Sequence, residues 1–295
     1  MSQRRAVQQH RQSLDEIREI MNSMKTLAYM ETRKLARYIE AQQAVVAGIE
    51  TAATDLLHSY PELLPVPAQT ATPERVWLLI GSERGFCGDF NQQLLEPLQH
   101  HLDDRPANRD LLIVVGQKLC SLLQDDARVA VAMDGASMAE DLTPLLQQLV
   151  NHLAELQASH PGLESQVIFH NGDGEVVVKP LLPPFGNLSV AGNPAKLPPV
   201  LNLAPAALFA GLAEQYLFAL MYQMLYASLH AENHQRLMHM EGAVRHLDER
   251  SAELLRQGNV LRQEEITEEI EVILLNALNL GGCCQESERQ RRSAR

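Results

Sequence analysis

No proline interrupts residues 3–57, and none interrupts residues 206–280. In a chain of 295 residues this predicts two very long helices, one at each end, with everything else inserted between them. The first segment holds one glycine, Gly48, and a 3-4 spacing runs through Leu14, Ile17, Met21, Met24, Ala28, Glu31, Leu35, Tyr38, Gln42, Val45 and Ile49. Nine of these eleven positions are apolar or semi-apolar, which is a coiled-coil seam. The second segment repeats the pattern through Leu237, Met240, Val244, Leu247, Ser251, Leu254, Gly258 and Leu261, softened by Gly211, Gly242 and Gly258. A seam this long is too extended for one small domain to cover. Each helix must bury the other's stripe, so an antiparallel coiled coil is expected.

The middle of the chain has a different period. "VWLLIG" (76–81), "LLIVVGQ" (111–117) and "VAVAM" (129–133) are short, nearly continuous apolar runs, as buried parallel strands require. Helical stretches are expected at 91–102, 117–124 and 138–159, and "QVIFHNGDGEVVVKPLL" reads as a hairpin turning at Gly172-Asp173-Gly174. The fold class is thus α/β with long terminal helices: a small Rossmann-like domain inserted into an antiparallel coiled coil. The expected boundaries are 1–58 for the first helix, 59–75 for a linker with Pro61, Pro65, Pro67 and Pro73, and 76–184 for the α/β domain. A loop at 185–204, the second helix at 205–280 and a disordered polar tail at 281–295 complete the chain.

The bulk composition narrows the function. A net charge of −12 excludes a general nucleic-acid binder, whose affinity comes largely from neutralising phosphates; positive charge is local, at Arg4, Arg5, Arg11 and the arginines of the tail. The four cysteines, Cys87, Cys120, Cys283 and Cys284, lack CxxC spacing and are too few for a disulfide scaffold, which implies a reducing compartment. No apolar run reaches the roughly 18 residues that a membrane span needs. The first twenty residues lack the apolar core of a signal peptide.

One loop invites a chemical reading. "GSERGFCGDFN" (81–91) follows the first strand and precedes a helix, the position at which α/β proteins often bind phosphate. It lacks the Gly-Lys-Ser/Thr ending of a P-loop and the spacing of a dinucleotide fingerprint, so a tight structural turn is the better account. His230 and His234 stand at i, i+4, with Glu232 and His239 near in sequence, but no third ligand completes a metal site. No nucleophile-and-base set presents itself. The residues therefore predict no catalytic group, no metal and no cofactor.

Three motifs together resemble the gamma subunit of F-type ATP synthases over essentially the whole chain. "IMNSMKTLAYMETRKL" (20–35) is similar to the family's "ITKAMKMVAAAKLRRA", with Ile20, Met24, Lys25, Ala28 and Arg33 in register. "SERGFCGDFN" resembles "SDRGLCGGFN". "AENHQRLMHMEGAV" (231–244) and "NVLRQEEITEEIEVI" (259–273) resemble "SEHAARMAAMDAAT" and "NRARQAAITQELLEI". The departures are Asn22 for a family lysine, Glu83 and Asp89 in the loop, and Gly258-Asn259-Val260 in the last helix. They mark a divergent bacterial member, with the alternative, often sodium-translocating branch as one placement.

The resemblance implies a rotor subunit, one copy per complex, that performs no ATP chemistry itself. It implies a peripheral place on the cytoplasmic side of a bacterial membrane, with alpha, beta, epsilon and c-ring subunits as partners. Contact with the alpha/beta ring would fall to Arg262, Gln263 and Asn259, with Met24 and Lys25 opposite them on the first helix. Gly81, Arg84, Gly85 and Gly88 would form a signature turn of the foot domain. Two other readings fit the residues alone: a free-standing nucleotide-binding enzyme with helical oligomerisation arms, and a coiled-coil scaffold unrelated to ATP turnover.

Overall fold

The computed structural model describes residues 3–63, 75–103, 110–160, 162–186, 188 and 200–293, with side chains described to residue 275. The chain divides into two compact units, Met1–Met24 with Glu241–Arg295, and Lys25–Met240. Two helices dominate: α1, Gln3–Ser59, and α5, Pro205–Ser293. Between them lie β1 (Arg75–Ile80), α2 (Phe90–Asp103), β2 (Asp110–Val115) and α3 (Gln117–Leu122). Next come β3 (Val129–Met133), α4 (Leu142–Ser159), β4 (Glu164–His170) and β5 (Val176–Leu182). The expected linker prolines Pro65, Pro67 and Pro73 and most of the 185–204 loop lie outside the described residues.

Within each unit α1 and α5 run antiparallel, as the seam requires. In the first unit the Arg4 Nη1 meets Glu265 Oε2 at 3.1 Å and the Arg18 Nη1 meets Asp248 Oδ1 at 3.1 Å, so numbers rise on one helix as they fall on the other. In the second unit the Tyr216 hydroxyl donates to Glu50 at 3.2 Å, and Tyr38 stacks on Tyr226 with ring centroids 5.2 Å apart. The α5 spacing holds: Met240 in one unit and Leu254 in the other are buried.

The α1 spacing needs correction. Ile17, Tyr38 and Val45 are 46%, 42% and 49% exposed, whereas Ile39 and Val46 are buried. From Ala28 the buried positions run to Leu35 and then Ile39, an eleven-residue step, before resuming at Val46 and Ala53. An eleven-residue step averages about 3.67 residues per turn, close to an unstrained helix, and shifts the stripe by one position. In the first unit Arg18 stands half-buried where Ile17 was expected.

Two helix boundaries also differ. The stretch expected to be helical from 138 begins with a 3-10 turn, Ala139–Asp141, because the Asp141 carboxylate accepts the Ser137 and Met138 N–H groups at 3.0 Å each. The α5 backbone is helical through Ser293, past the Gly281-Gly282 pair where the sequence predicts an end. Each glycine costs a helix about 1 kcal/mol, but unlike proline it keeps its N–H donor.

The sheet has the order β3-β2-β1-β4-β5, parallel except for β5. Its central strands are apolar on both faces because both are covered. Val76, Leu78 and Ile80 pack with α4, with Leu35 of α1 and with Leu220, Met224 and Leu225 of α5. Trp77 and Leu79 pack with Leu94 and Leu98 of α2 and Leu119 of α3. The inserted domain thus uses the long helices as one of its own layers.

The corrected seam makes a direct prediction. Ile39→Ala should lower stability by about 2 kcal/mol or more, as for other large-to-small core changes, while Val45→Ala should stay within about 0.5 kcal/mol. Urea denaturation of the two variants checks this, and equal losses would restore the uninterrupted 3-4 seam.

Candidate functional site

The glycine loop leaves β1 at Gly81 and enters α2 at Phe90. Gly81, Arg84, Gly85 and Gly88 all lie in this turn. A Cβ on Gly81 would sit 2.5 Å from the Leu119 Cβ and 2.8 Å from the Asn91 Oδ1, so only glycine lets the strand end pass. Asn91 closes the turn: its Oδ1 accepts the Ser82 N–H at 2.9 Å, and its Nδ2 donates to the Ser82 Oγ at 2.9 Å. Gly88 has φ +59°, and a Cβ there would come within 2.1 Å of the His239 Nε2.

In an open α/β sheet, ligands bind outside the strand C-termini where the strand order reverses, here between β1 and β4. That crevice is filled. Phe90 stacks on His170 at 3.8 Å, and the two nitrogens of buried His170 lie 3.0 Å from the Gly174 oxygen and 2.9 Å from the Phe90 oxygen. The loop's backbone donors are also taken: the N–H groups of Glu83 and Arg84 point to the Glu232 carboxylate of α5 at 3.3 and 3.1 Å. The anion in this loop is therefore a side chain of the same protein.

Glu232 is 3% exposed and is paired with Arg236, one turn on and 5% exposed. The Arg236 guanidinium also donates Nε to the Gly85 oxygen at 3.2 Å and Nη1 to the Asn233 Oδ1 at 2.7 Å. Burial pushes the Glu232 carboxyl above its usual range, while Arg236 and the two amides pull it back. Ser228 extends the clamp by donating to the Ile80 oxygen at 3.2 Å. Glu83 ties the loop sideways: its Oε2 accepts the Gln117 N–H at 3.0 Å, at the start of α3, and the Gly135 N–H at 2.6 Å. Asp89 accepts from Gln93 Nε2 at 2.8 Å beside the first turn of α2, a bond that holds its carboxyl below the usual range. The two acidic departures in the loop are thus engaged in its architecture.

Within this loop Phe86 stands apart. It adopts φ +65°, uncommon for a bulky residue, and is 62% exposed. Arg84 beside it is also exposed and donates Nε to the Ser137 Oγ at 3.0 Å. Cys87 points inward, and burial pushes its thiol up to about 12.

His230 and His234 have ring centroids 6.4 Å apart, Glu232 is committed to Arg236, and no metal-holding cluster exists among the described residues. Burial lowers the His230 pKa, and His234 lowers it further.

Arg262, Gln263 and Asn259 lie in the first unit and are exposed. The resemblance implies Met24 and Lys25 opposite them, but within the first unit the register does not put Met24 there. Arg262 lines a small groove of about 150 Å³ with Arg4, Val7, Gln8 and Arg11, while Met24 sits 17 residues beyond Val7 along α1. At about 1.5 Å per residue that separates the two places by roughly 25 Å. The pairing Arg18–Asp248 fixes this register.

Glu232 and Arg236 are the functional residues that the sequence analysis missed. A Glu–Arg pair at i, i+4 on a helix normally reads as a solvated ion pair. The available signal was Ser228, a small residue one helical turn before Glu232 on the same face.

A sequence model described as ATP synthase matches residues 3–277. The chain belongs to the ATP synthase family. Among its curated relatives, the ATP synthase gamma chain of Saccharopolyspora erythraea is 26% identical over 307 aligned residues, covering 96% of this chain and 99% of that one. The gamma chain of Clostridium perfringens is 21% identical over 268 residues, covering 89% and 93%. In fold, the chain is similar to one in the Euglena gracilis mitochondrial ATP synthase, with TM-score 0.60, 15% identity and coverage of 94% and 95%. A second match is a chain in the central stalk and c-ring structure of the Tetrahymena thermophila enzyme, with TM-score 0.56, 20% identity and coverage of 76% and 99%.

Two tests address the clamp. Arg236→Ala leaves the Glu232 carboxylate buried without its cation and should cost about 3–5 kcal/mol, whereas Arg236→Met combined with Glu232→Leu should cost much less. Denaturation of both variants checks this; equal losses would mean the pair is not a coupled unit. Cys87 should resist iodoacetamide at pH 8 in the folded chain, read from its tryptic peptide by mass spectrometry. Its thiol starts from 9.0 when unperturbed and rises to about 12 when folded. Between those values the folded state keeps a proton that the unfolded state has lost, so this group's contribution to stability should fall as pH rises from about 9 to about 12.

Proposed function

We propose that this chain is the gamma subunit of a rotary F-type ATP synthase or ATPase, the central shaft that couples ion flow through a membrane ring to ATP turnover elsewhere. The observation that carries this reading is the far part of α5. In the first unit α1 begins at Gln3, and Arg4 already faces Glu265. Beyond that point α5 runs on with Ile266, Ile270, Val272, Ile273, Leu274 and Leu275, all 45% to 65% exposed. Glu268, Glu269 and Glu271 interrupt this stretch, but six exposed large apolar residues within ten positions call for a surrounding protein. The family membership and near full-length similarity to gamma chains support a ring of alpha and beta subunits as that surrounding.

Arg262 and Gln263 are well placed to touch such a ring. With Arg4 and Arg11, Arg262 lines a basic groove just before the apolar stretch, Gln263 follows it in sequence, and a guanidinium fork suits bidentate contact with a partner's carboxylates. Asn259 adds a neutral amide to the same rim. Met24 and Lys25 would meet the ring at a separate level. The helix pair presents a different face to each catalytic site, and turning it changes which conformation each site prefers. Each shift is bounded by the difference in contact free energy between states.

The α/β domain would form the foot, docking on epsilon and the c-ring, with Gly81, Arg84, Gly85 and Gly88 shaping its signature turn. Catalysis would stay with the beta subunits. No helix among the described residues is long and apolar enough to cross a membrane, so attachment to a bacterial cytoplasmic membrane would run through partners, one copy per complex.

The test is the assembled complex. The chain should co-purify with ATPase alpha and beta subunits; their absence from the native complex would overturn the reading. Arg262→Ala with Gln263→Ala should lower ion pumping per ATP several-fold, and unchanged hydrolysis and pumping would remove the contact role. Ile270→Asp with Ile273→Asp should leave the isolated chain's stability within about 0.5 kcal/mol, because both sites are exposed, yet cut the yield of complex.

A further inference from the structure

We propose that the free edge of the sheet, β3, is a docking site for an extended, basic segment of a partner subunit, which adds to the sheet as a sixth strand. This rests on the proposed assembly into a multisubunit ATPase.

The two edges of the sheet are built differently. β5 carries Lys179 and Pro180, the devices by which proteins keep other strands from pairing with an edge. β3 carries neither. Its sequence, Val129-Ala-Val-Ala-Met133, contains no charge, proline or glycine, and among the described residues it pairs only with β2. Ala130 and Ala132 are exposed and too small to overhang the strand. Such an edge offers a row of main-chain donors and acceptors to an incoming strand.

A groove continues from this edge and suits the side chains of such a strand. It has a volume of about 750 Å³ and lies between α3 and α4, with Ala132, Met133 and Gly135 at the β3 end and Cys120, Gln124 and Gln148 on its walls. Neither lysine nor arginine lines it. Asp134 stands at its mouth and Asp125 lies four residues before β3; both are exposed, and neither forms an ion pair among the described residues. The Asp126 carboxylate between them is already held by Arg128 at 2.6 Å. Unspent negative charge beside an unguarded apolar edge selects a strand that carries lysine or arginine, and charge pairing of this kind fixes register as much as affinity.

Amide hydrogen exchange on the full chain, free and within the purified ATPase complex, tests this. Amides of Ala130 to Met133 should exchange at least tenfold more slowly in the complex. Ala132→Lys, which places a strand-blocking charge on the exposed side, should abolish that protection and release one small subunit at lower salt, while leaving the melting of the free chain unchanged. Asp134→Lys should weaken retention of the same subunit. A complex that forms without protecting β3 overturns this proposal alone. A chain that never assembles with alpha and beta subunits overturns the rotor reading with it. Protection that instead grows with the concentration of the free chain would show a second copy on the edge and would also overturn the proposal.

Discussion

The carboxylate of Glu232 organises the α/β domain around the C-terminal helix. A strand-to-helix turn with free N–H groups is an anion seat, and burying such groups without an acceptor costs free energy. Here α5 supplies the acceptor from its own side chain and balances it with Arg236, whose guanidinium returns to the Gly85 carbonyl. A buried pair of this kind adds little net stability compared with apolar packing, but breaking it is expensive. The result is a specific seating: the loop meets one turn of α5, with His239 against Gly88 as a steric stop.

That seating explains why a nucleotide-like loop does not behave as one. The place that would receive a phosphate is held by Glu232, the crevice beside it by the Phe90–His170 stack, and Glu83 spends its charge on the amides of Gln117 and Gly135. The glycines remain necessary for close passage of the backbone. What stays outward is Phe86, displayed in a backbone conformation that a phenylalanine adopts at some cost, and so held there by the clamp behind it.

Much of the architecture was legible in the residues. Long proline-free segments with a 3-4 stripe announced the helix pair, and short apolar runs such as "VWLLI" announced strands covered on both faces. The α5 stripe was read in phase. The α1 stripe was not, because Tyr38-Ile39 and Val45-Val46 are adjacent apolar pairs, and either member satisfies a helix pattern until a partner chooses. The register of Arg262 was hidden for a related reason: which residue lies opposite depends on where the antiparallel pair is anchored, as at Arg4–Glu265. The clamp stayed hidden because burial, not residue type, separates a structural Glu–Arg pair from a solvated one.

The Arg4–Glu265 contact joins residues 261 positions apart, and that separation shapes how the chain must be born. At about 5–20 residues per second, roughly 13 to 52 seconds pass between synthesis of the two partners. During that interval α1 has emerged with Leu14, Met21, Ala28 and Leu35 facing water, and the sheet has no layer from α5. Non-local closure of this kind is slow and exposes apolar surface while it waits. The first helix therefore spends its early life as an unpaired amphipathic strip, in need of a temporary companion until the last part of the chain arrives.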